Sequence, residues 1–191
     1  MNEAEVGELL EEHGALQRGH FKLSSGRHSD VFVQTALVLC YPGIAERLGH
    51  ELGERFAGAD VSVVLSPAVA GLVIGHEVAR HLNVRHVFCE RADGRMRLRR
   101  GFSIGGDENV LVVDNAMTDG ASKQEVIDLV KEIGADVAGV AIIADRSKDV
   151  SFGVPLQSLV RIETTEWDAG DCPLCREGLP IDAPGSRHLA R

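Results

Sequence analysis

The 191-residue sequence lacks long apolar runs and an excess of positive charge. No stretch approaches the roughly 18 consecutive apolar residues that a membrane-spanning helix needs. The formal net charge is −9, which argues against a broad surface for nucleic acid or anionic membranes. Residues 1–14 are acidic and lack the basic and apolar parts of a signal peptide. We therefore expect neither nucleic-acid nor membrane partners.

Cysteine is also scarce, with four residues in the chain. Cys40 and Cys89 lie in apolar, strand-like runs, which favours reduced thiols and a cytoplasmic protein. Cys172 and Cys175 form a lone CxxC motif, whereas a structural zinc site normally needs four ligands. His188 or a second cysteine pair from a partner chain could complete such a site, but a turn with free thiols is the simpler interpretation.

Strand and helix patterns alternate regularly from residue 61 onward. The 44% hydrophobic content is enough for the core of one domain. We predict strands at 61–65, 84–89, 109–113 and 136–145, and helices at 72–82 and 123–133. This alternation predicts an α/β fold with a Rossmann-like parallel sheet flanked by helices.

The pattern differs on both sides of this core. An amphipathic helix at 3–13 and a hairpin at 21–33 predict a small N-terminal unit, which we assign to residues 1–40. The core then spans 41–167. Residues 168–191 are polar and rich in proline and glycine, which predicts a C-terminal tail without a core of its own.

A buried strand, a polar turn and a helix start follow one another in residues 109–122, NVLVVDNAMTDGAS. In α/β proteins this order places a phosphate on the amides of the helix start. Asp114 and Asn115 suit the hydroxyls of a sugar, and Asp114 could help to hold Mg²⁺. Thr118 and the amides of 119–122 would form an anion nest. The alternative is an ordinary turn that only caps the helix.

Three more connections carry candidate site residues. The small residues of 66–71, SPAVAG, let the backbone approach a ligand closely. Residues 90–102, ERADGRMRLRRGF, contain five arginines, which suit a polyanion. They could equally form a solvated basic hairpin, or a mobile lid. Arg146 follows the strand 136–145 and either pairs with Asp145 or binds a substrate carboxylate.

These segments together resemble the type I phosphoribosyltransferases, and among them the bacterial orotate phosphoribosyltransferases. VLVVDNAMTDGAS is similar to the family signature for 5-phosphoribosyl-1-pyrophosphate (PRPP). HFKLSSGRHSDVFVQ, SPAVAG, ERADGRMRLRRGF, ADRS and CPLCREGLPIDAPGSR extend the resemblance over nearly the whole chain. It implies a Mg²⁺-dependent homodimer that transfers ribose 5-phosphate from PRPP to orotate, giving orotidine 5′-monophosphate and pyrophosphate.

The resemblance also implies roles for the PRPP-binding residues. Asp114, with Asn115 beside it, would hold the ribose hydroxyls and would meet Mg²⁺ mostly through substrate and water. The residues implied to cradle the 5′-phosphate are Thr118, Asp119, Gly120, Ala121 and Ser122. Those implied to bind pyrophosphate are Ala68, Val69, Ala70 and Gly71.

The remaining implied roles concern the leaving group and the base. Arg91, Arg99 and Arg100 would stabilise the departing pyrophosphate from the neighbouring subunit of a dimer. Arg146 would bind the carboxylate of orotate, with Thr118 and Phe32 beside the ring. Residues 1–40 would form a hood over the base site.

Two positions depart from the family pattern. Asn115 stands where a second acidic residue is usual, which reduces Mg²⁺ and ribose binding. Asp119 stands where a small or hydroxyl residue is usual, and its charge opposes a phosphate. Ser24 also replaces a common lysine. Two alternatives therefore stay open: a weak or inactive PRPP- or nucleotide-binding protein with a sensor or regulatory role, and a transferase for another base.

Overall fold

A computed structural model describes residues 1–23 and 25–184 of the chain. Ser24 in the predicted hairpin turn, and His188 with the rest of 185–191, lie outside the described residues. The strands are β1 (Leu16–Lys22), β2 (His28–Val33), β3 (Val63–Pro67), β4 (Arg85–Ala92), β5 (Arg95–Leu98), β6 (Asn109–Met117), β7 (Asp136–Asp145), β8 (Leu156–Arg161) and β9 (Glu166–Trp167). The helices are α1 (Glu3–Glu12), α2 (Ala36–Leu39), α3 (Pro42–Glu54), α4 (Leu72–Leu82), α5 (Ala121–Ile133) and α6 (Pro173–Arg176).

The larger sheet has the strand order β5-β4-β3-β6-β7-β8. Its strands are parallel except for β5, which pairs antiparallel with β4. The central strands are mostly apolar because helices cover both faces; all five residues of β3, including Ser66, are buried. The predicted α/β fold with a parallel sheet flanked by helices is confirmed.

Two segments add detail to the predicted strands: one strand is longer than its apolar run, and the arginine segment is ordered as a hairpin. The β6 strand continues to Met117, four residues past the last apolar valine, because Ala116 and Met117 still pair with β7. Asp114 and Asn115 are therefore part of the strand, where the polar sequence had indicated a turn. The arginine segment forms the antiparallel β4–β5 hairpin, which corresponds to the basic-hairpin interpretation of this segment.

A second sheet has the strand order β1-β2-β9 and carries the C-terminal tail on its edge. The backbone amide of Lys22 donates to Asp182 (2.7 Å), and the amide of Asp182 donates to the carbonyl of His20 (2.9 Å). The tail is thus held by backbone pairing to β1. The domain boundaries at 40 and 167 stay a prediction, since β9 and the tail pair with the N-terminal hairpin across them. Within the described ranges, none of the helices has the length and apolar character needed to cross a membrane.

Helices α3 and α4 pack closely at Gly49. A Cβ atom added there would lie 2.4 Å from Cβ of Glu77 and 2.8 Å from its backbone carbonyl carbon. Backbone cannot yield as a flexible side chain can, so the contact requires glycine.

We predict that Gly49→Ala lowers the free energy of unfolding by ~1–3 kcal/mol, the usual cost of overpacking. The matched control is Gly43→Ala in the first turn of α3, where an added Cβ meets no heavy atom within 4 Å among the described residues. Gly43→Ala should be neutral or stabilising by up to ~1 kcal/mol. Urea denaturation measures both. Equal stability of the two variants would contradict the packing argument.

Candidate active site

A buried ion pair joins the end of β6 to the first turn of α5. Asp114 and Lys123 are each 5% exposed, and Lys123 Nζ lies 2.6 Å from Asp114 Oδ2. Lys123 Nζ also donates to the carbonyl of Ala116. The second carboxylate oxygen of Asp114 accepts from the backbone amide of Asn115 (2.8 Å). Both charges are therefore compensated inside the protein.

Sequence reasoning missed Lys123, although a signal was present. Lys123 is followed at i+3, i+4 and i+7 by Val126, Ile127 and Val130, all fully buried. It therefore occupies the apolar face of α5. A lysine on such a face, near the positive end of the helix dipole, requires a buried acceptor. The acid at the end of the preceding strand supplies it.

Asn115 is hydrogen-bonded to the residue that precedes the helix α2. Its side-chain amide donates to the hydroxyl of Thr35 at 2.6 Å, and Thr35 is 1% exposed. The amide nitrogen of Asn115 is thus occupied in this structure, while the amide oxygen remains available to a ligand.

The loop between β6 and α5 surrounds a small cavity of about 110 Å³. The side chains and backbone that line it include Thr118, Asp119, Gly120, Ser122 and Lys123. Gly120 has a φ of 75°. A Cβ there would lie 2.8 Å from a methyl carbon of Val150, so only glycine fits this turn.

The side chain of Asp119 is hydrogen-bonded within this loop. Its Oδ1 accepts a hydrogen bond from the backbone amide of Ala121 at 3.1 Å. That amide belongs to the helix start at which the sequence predicted a phosphate. A phosphate oxygen that used the Ala121 amide would have to displace the carboxylate of Asp119.

The loop 66–71, at the carboxyl end of β3, lies against Asp114. A Cβ on Gly71 would come within 3.0 Å of Asp114 Oδ1, so glycine allows the two strand ends to approach. Val69 at the tip is 80% exposed. At the base of the loop, the fully buried Ser66 hydroxyl lies 3.0 Å from His86 Nε2. Burial, with a smaller contribution from His76, lowers the pKa of His86 to about 4, so this histidine is neutral at pH 7.

Arg146 lies at the carboxyl end of β7, and its side chain is 8% exposed. Among the described residues, its buried Nε has no hydrogen-bond partner. Its Nη2 lies 3.5 Å from the carbonyl of Val31 and 3.9 Å from Glu166. Asp145 instead accepts from the amide of Ser147 (2.8 Å), so the predicted alternative of an Asp145–Arg146 pair is not what this structure contains.

The guanidinium of Arg146 connects three adjacent cavities. It lines the 110 Å³ cavity of the α5 loop and two larger ones of about 530 and 670 Å³ beside the second sheet. Burial lowers the pKa of Arg146, and Glu166 and Asp30 oppose that shift. A buried guanidinium with a free N–H favours an anionic ligand, and a planar carboxylate matches its shape.

Phe32 and the arginines of the β4–β5 hairpin lie apart from these cavities. Phe32 is half-buried on β2, and its ring centroid is 5.7 Å from that of Phe21. Arg91 pairs with Glu125 at 2.8 Å, and Arg100 donates two hydrogen bonds to Glu90, each of 2.9 Å. In the part of the chain that the structure describes, neither these two arginines nor Arg99 line the three cavities.

A parallel sheet of this order, with a phosphate-type loop after β6 and a second loop after β3 against Asp114, is the arrangement of a type I phosphoribosyltransferase. The solved orotate phosphoribosyltransferase of Aeropyrum pernix matches with a TM-score of 0.69 and 26% identity, over 82% of this chain and 93% of that chain. No protein-family model matches the chain.

Similar proteins of known name show which family of phosphoribosyltransferases this is. The orotate phosphoribosyltransferase of Caldanaerobacter subterraneus subsp. tengcongensis is 45% identical over 190 residues, 99% of this chain and 100% of that protein. The one from Thermotoga maritima is 45% identical over 185 residues, 96% of this chain and 99% of that protein. The chain belongs to the orotate phosphoribosyltransferase family, as the sequence motifs had indicated.

We predict that Lys123→Met lowers the free energy of unfolding by ~3–5 kcal/mol, because it leaves the carboxylate of Asp114 buried and unpaired. Lys131→Met, at an exposed position in the last turn of the same helix, is the control and should change stability by less than ~0.5 kcal/mol. Chemical denaturation of both variants is the measurement. A small effect at Lys123 would mean that the ion pair is not structural.

Proposed function

We propose that this protein transfers ribose 5-phosphate from PRPP to orotate, giving orotidine 5′-monophosphate and pyrophosphate. The observation that carries the proposal is Arg146. It is a buried guanidinium whose Nε has no hydrogen-bond partner within residues 1–23 and 25–184, and it stands between the α5 loop and the cavities beside the second sheet. The carboxylate of orotate fits this guanidinium, and the 5′-phosphate fits the loop from Thr118 to Ser122.

The proposed reaction needs stabilisation of two kinds of charge. The ribosyl centre becomes cation-like as pyrophosphate leaves, and the leaving group carries several negative charges. We propose that Asp114 faces the ribosyl group and that the loop beside it receives pyrophosphate on the backbone amides of Val69 and Ala70, since those of Ala68 and Gly71 donate to the carbonyls of Cys89 and Pro67. The amide oxygen of Asn115 is proposed to accept from a ribose hydroxyl.

Mg²⁺ is proposed to arrive with PRPP. Asp114 Oδ2 is paired with Lys123 and Oδ1 with the Asn115 amide, so this carboxylate is not free to ligate an ion directly. The residues therefore fit an ion that is held by substrate oxygens and water, which is the usual habit of Mg²⁺ at phosphate sites. When bound, the ion would neutralise the charge of the leaving pyrophosphate.

The arginines of the β4–β5 hairpin are proposed to act in a homodimer. They lie at the edge of the sheet that is farther from Arg146, where Arg91 and Arg100, 48% and 63% exposed, pair with the partly buried acids Glu125 and Glu90. Ion pairs of half-exposed arginines cost little to exchange for a polyanion. Arg91, Arg99 and Arg100 could therefore reach the pyrophosphate of a neighbouring subunit. We also propose a cytoplasmic location, in keeping with four cysteines that are all free.

We predict that purified protein consumes orotate only with both PRPP and Mg²⁺, and that Arg146→Ala lowers kcat/KM for orotate at least about 100-fold. That factor corresponds to ~3 kcal/mol, within the usual loss for one partner of a buried charge pair. KM for PRPP should change little. Arg47→Ala, at an exposed position of α3, is the control.

The same assay distinguishes the base. Purines and uracil carry no carboxylate, so a transferase for such a base would not depend on this guanidinium. Normal orotate turnover by Arg146→Ala would remove the assignment of Arg146. Turnover of another base in place of orotate would overturn the proposed substrate.

One observation favours a second candidate, a protein that binds PRPP or a nucleotide with little turnover. The carboxylate of Asp119 occupies the Ala121 amide at the helix start, where it competes with a phosphate for the same donor. Tight binding of PRPP without product would support a sensor or regulatory role.

We predict that Asp119→Thr lowers KM for PRPP about fivefold, because ~1 kcal/mol of charge repulsion is relieved. Asn115→Asp added to it should raise kcat further if the missing carboxylate limits the rate. The control is Asp136→Thr, which removes an exposed negative charge at the first residue of β7. An unchanged KM for PRPP would show that Asp119 does not oppose the phosphate.

A further inference from the structure

Four side chains with metal-binding atoms converge where the C-terminal tail meets the second sheet. Two histidines come from the strands β1 and β2, and two cysteines flank the first turn of α6. Their ligand atoms all lie within 4.8 Å of one another. The four residues are His20, His28, Cys172 and Cys175.

The distances between these atoms match those around a tetrahedral zinc ion. Bond lengths of ~2.3 Å for Zn–S and ~2.0–2.1 Å for Zn–N put sulfur and nitrogen ligands about 3.5 Å apart, and two nitrogen ligands about 3.3 Å apart. Cys172 Sγ is 3.5 Å from His20 Nε2, and Cys175 Sγ is 3.7 Å from His20 Nε2 and 3.3 Å from His28 Nδ1. The two imidazole nitrogens are 3.0 Å apart.

Ordinary hydrogen bonding does not account for this arrangement. His20 Nδ1 lies 3.0 Å from the carbonyl of Leu179, which can only accept, so the ring carries its proton there. Nε2 of a neutral ring is then a single lone pair, and three potential donors surround it: His28 and the two thiols. One lone pair cannot satisfy all three, whereas a cation at the centre is satisfied by all four atoms.

The surroundings also have the features of a metal site. A metal-bound histidine usually donates its other N–H to a carbonyl or carboxylate, as His20 does to Leu179. The tail is held in place on both sides of that contact, by the Lys22–Asp182 backbone pair and by the amide of Leu179, which donates to Leu174 (3.1 Å). The CxxC turn is therefore presented to the two strands in a fixed position.

We propose that the protein binds one Zn²⁺ ion through His20, His28, Cys172 and Cys175. Two sulfur and two nitrogen donors in a tetrahedron select zinc among the common divalent metals. All four ligands come from the protein, so the site is structural and leaves no open position for a substrate. Bound zinc joins the C-terminal tail to the β1–β2 hairpin, whose Val31 carbonyl contacts Arg146.

Residues 1–23 and 25–184 contain one other group of potential ligands, and it is weaker. His50, Glu54 and His81 lie within 4.8 Å of one another on the helices α3 and α4 and are mostly exposed. This group has three donors, and His81 Nε2 already pairs with Glu54 at 2.7 Å. Zinc bound there would not depend on the cysteines, so variants distinguish the two groups.

The first test is metal content. Full-length protein without a histidine tag is given Zn²⁺ alone, freed of excess metal and analysed by mass spectrometry. We expect about one zinc per chain, reduced to background in Cys172→Ser and in His28→Ala. Cys40→Ser and His76→Asn, which change exposed residues outside the cluster, should keep it. Zinc retained in Cys172→Ser but lost in His81→Ala would overturn the site.

The second test uses the unchanged chain, because a ligand variant could fail to fold. Apo protein prepared with a chelator is titrated with Co²⁺ alone. The expected result is the intense visible absorption of tetrahedral cobalt together with a thiolate charge-transfer band, both removed by Zn²⁺. Weak absorption typical of six oxygen or nitrogen ligands, or no binding, would overturn the proposal.

Thiol reactivity gives an independent readout on the same sample. The chain has four free cysteines, and burial raises the pKa of Cys89 to about 12, so this thiol is unreactive. Zinc-loaded protein should react at Cys40 only, and chelated protein at Cys40 and at the exposed Cys175, whereas Cys172 is buried like Cys89. Equal reactivity with and without Zn²⁺ would contradict ligation by the CxxC motif.

Discussion

The site depends on one buried ion pair, that of Asp114 with Lys123. Each charge alone would be too costly in a sheet whose neighbouring residues, such as Val112 and Val113, are fully buried. The pair joins the carboxyl end of the strand β6 to the first turn of α5. It therefore holds the loop between these elements in one conformation. Gly71 brings a second loop against the same carboxylate. The two proposed phosphate-binding loops therefore both adjoin the Asp114–Lys123 ion pair.

Arg146 is a second buried charge, and its hydrogen-bond donors are not all used by the protein. Its side chain is buried and charged, yet its neighbours do not use all of its donors: the Val31 carbonyl and Glu166 are at the outer range of contact, and Nε is free among the described residues. A group whose hydrogen bonds are incomplete in the protein alone gains the most from an anionic ligand. The strand β2 supplies part of this environment through the carbonyl of Val31.

The tail and the hood are joined by a different kind of interaction. Leu16 and Val31 of the second sheet pack in the same apolar cluster as the helices α1 and α3, and the proposed zinc site would add stability where the tail meets that sheet. The ligands come from positions about 150 residues apart in sequence. In this way the end of the chain contributes to the second sheet, beside which two of the cavities at Arg146 lie, although none of its residues lines the three cavities in the described structure.

Local patterns were sufficient for most of the fold. The apolar runs and their alternation with helical spacing predicted the parallel sheet, because a strand covered on both faces must be apolar throughout. Helix α4 and strand β7 were predicted with the bounds that they have in the structure. The strand β6 was predicted too short, because Asp114 and Asn115 are polar and their side-chain partners, Lys123 and Thr35, lie outside the strand.

The sequence by itself determined the family, the parallel sheet and the loops that carry the candidate residues, since each is written in a contiguous segment. The tertiary structure decided how side chains from different segments pair. The position of Lys123 on the apolar face of α5 indicates a buried partner, but other pairings join residues far apart in the sequence. The structure brought Thr35 to Asn115, and His20 and His28 to a CxxC motif that the sequence had indicated to be a turn with free thiols. These distant pairings depend on packing and burial across the whole chain, and no local spacing encodes them.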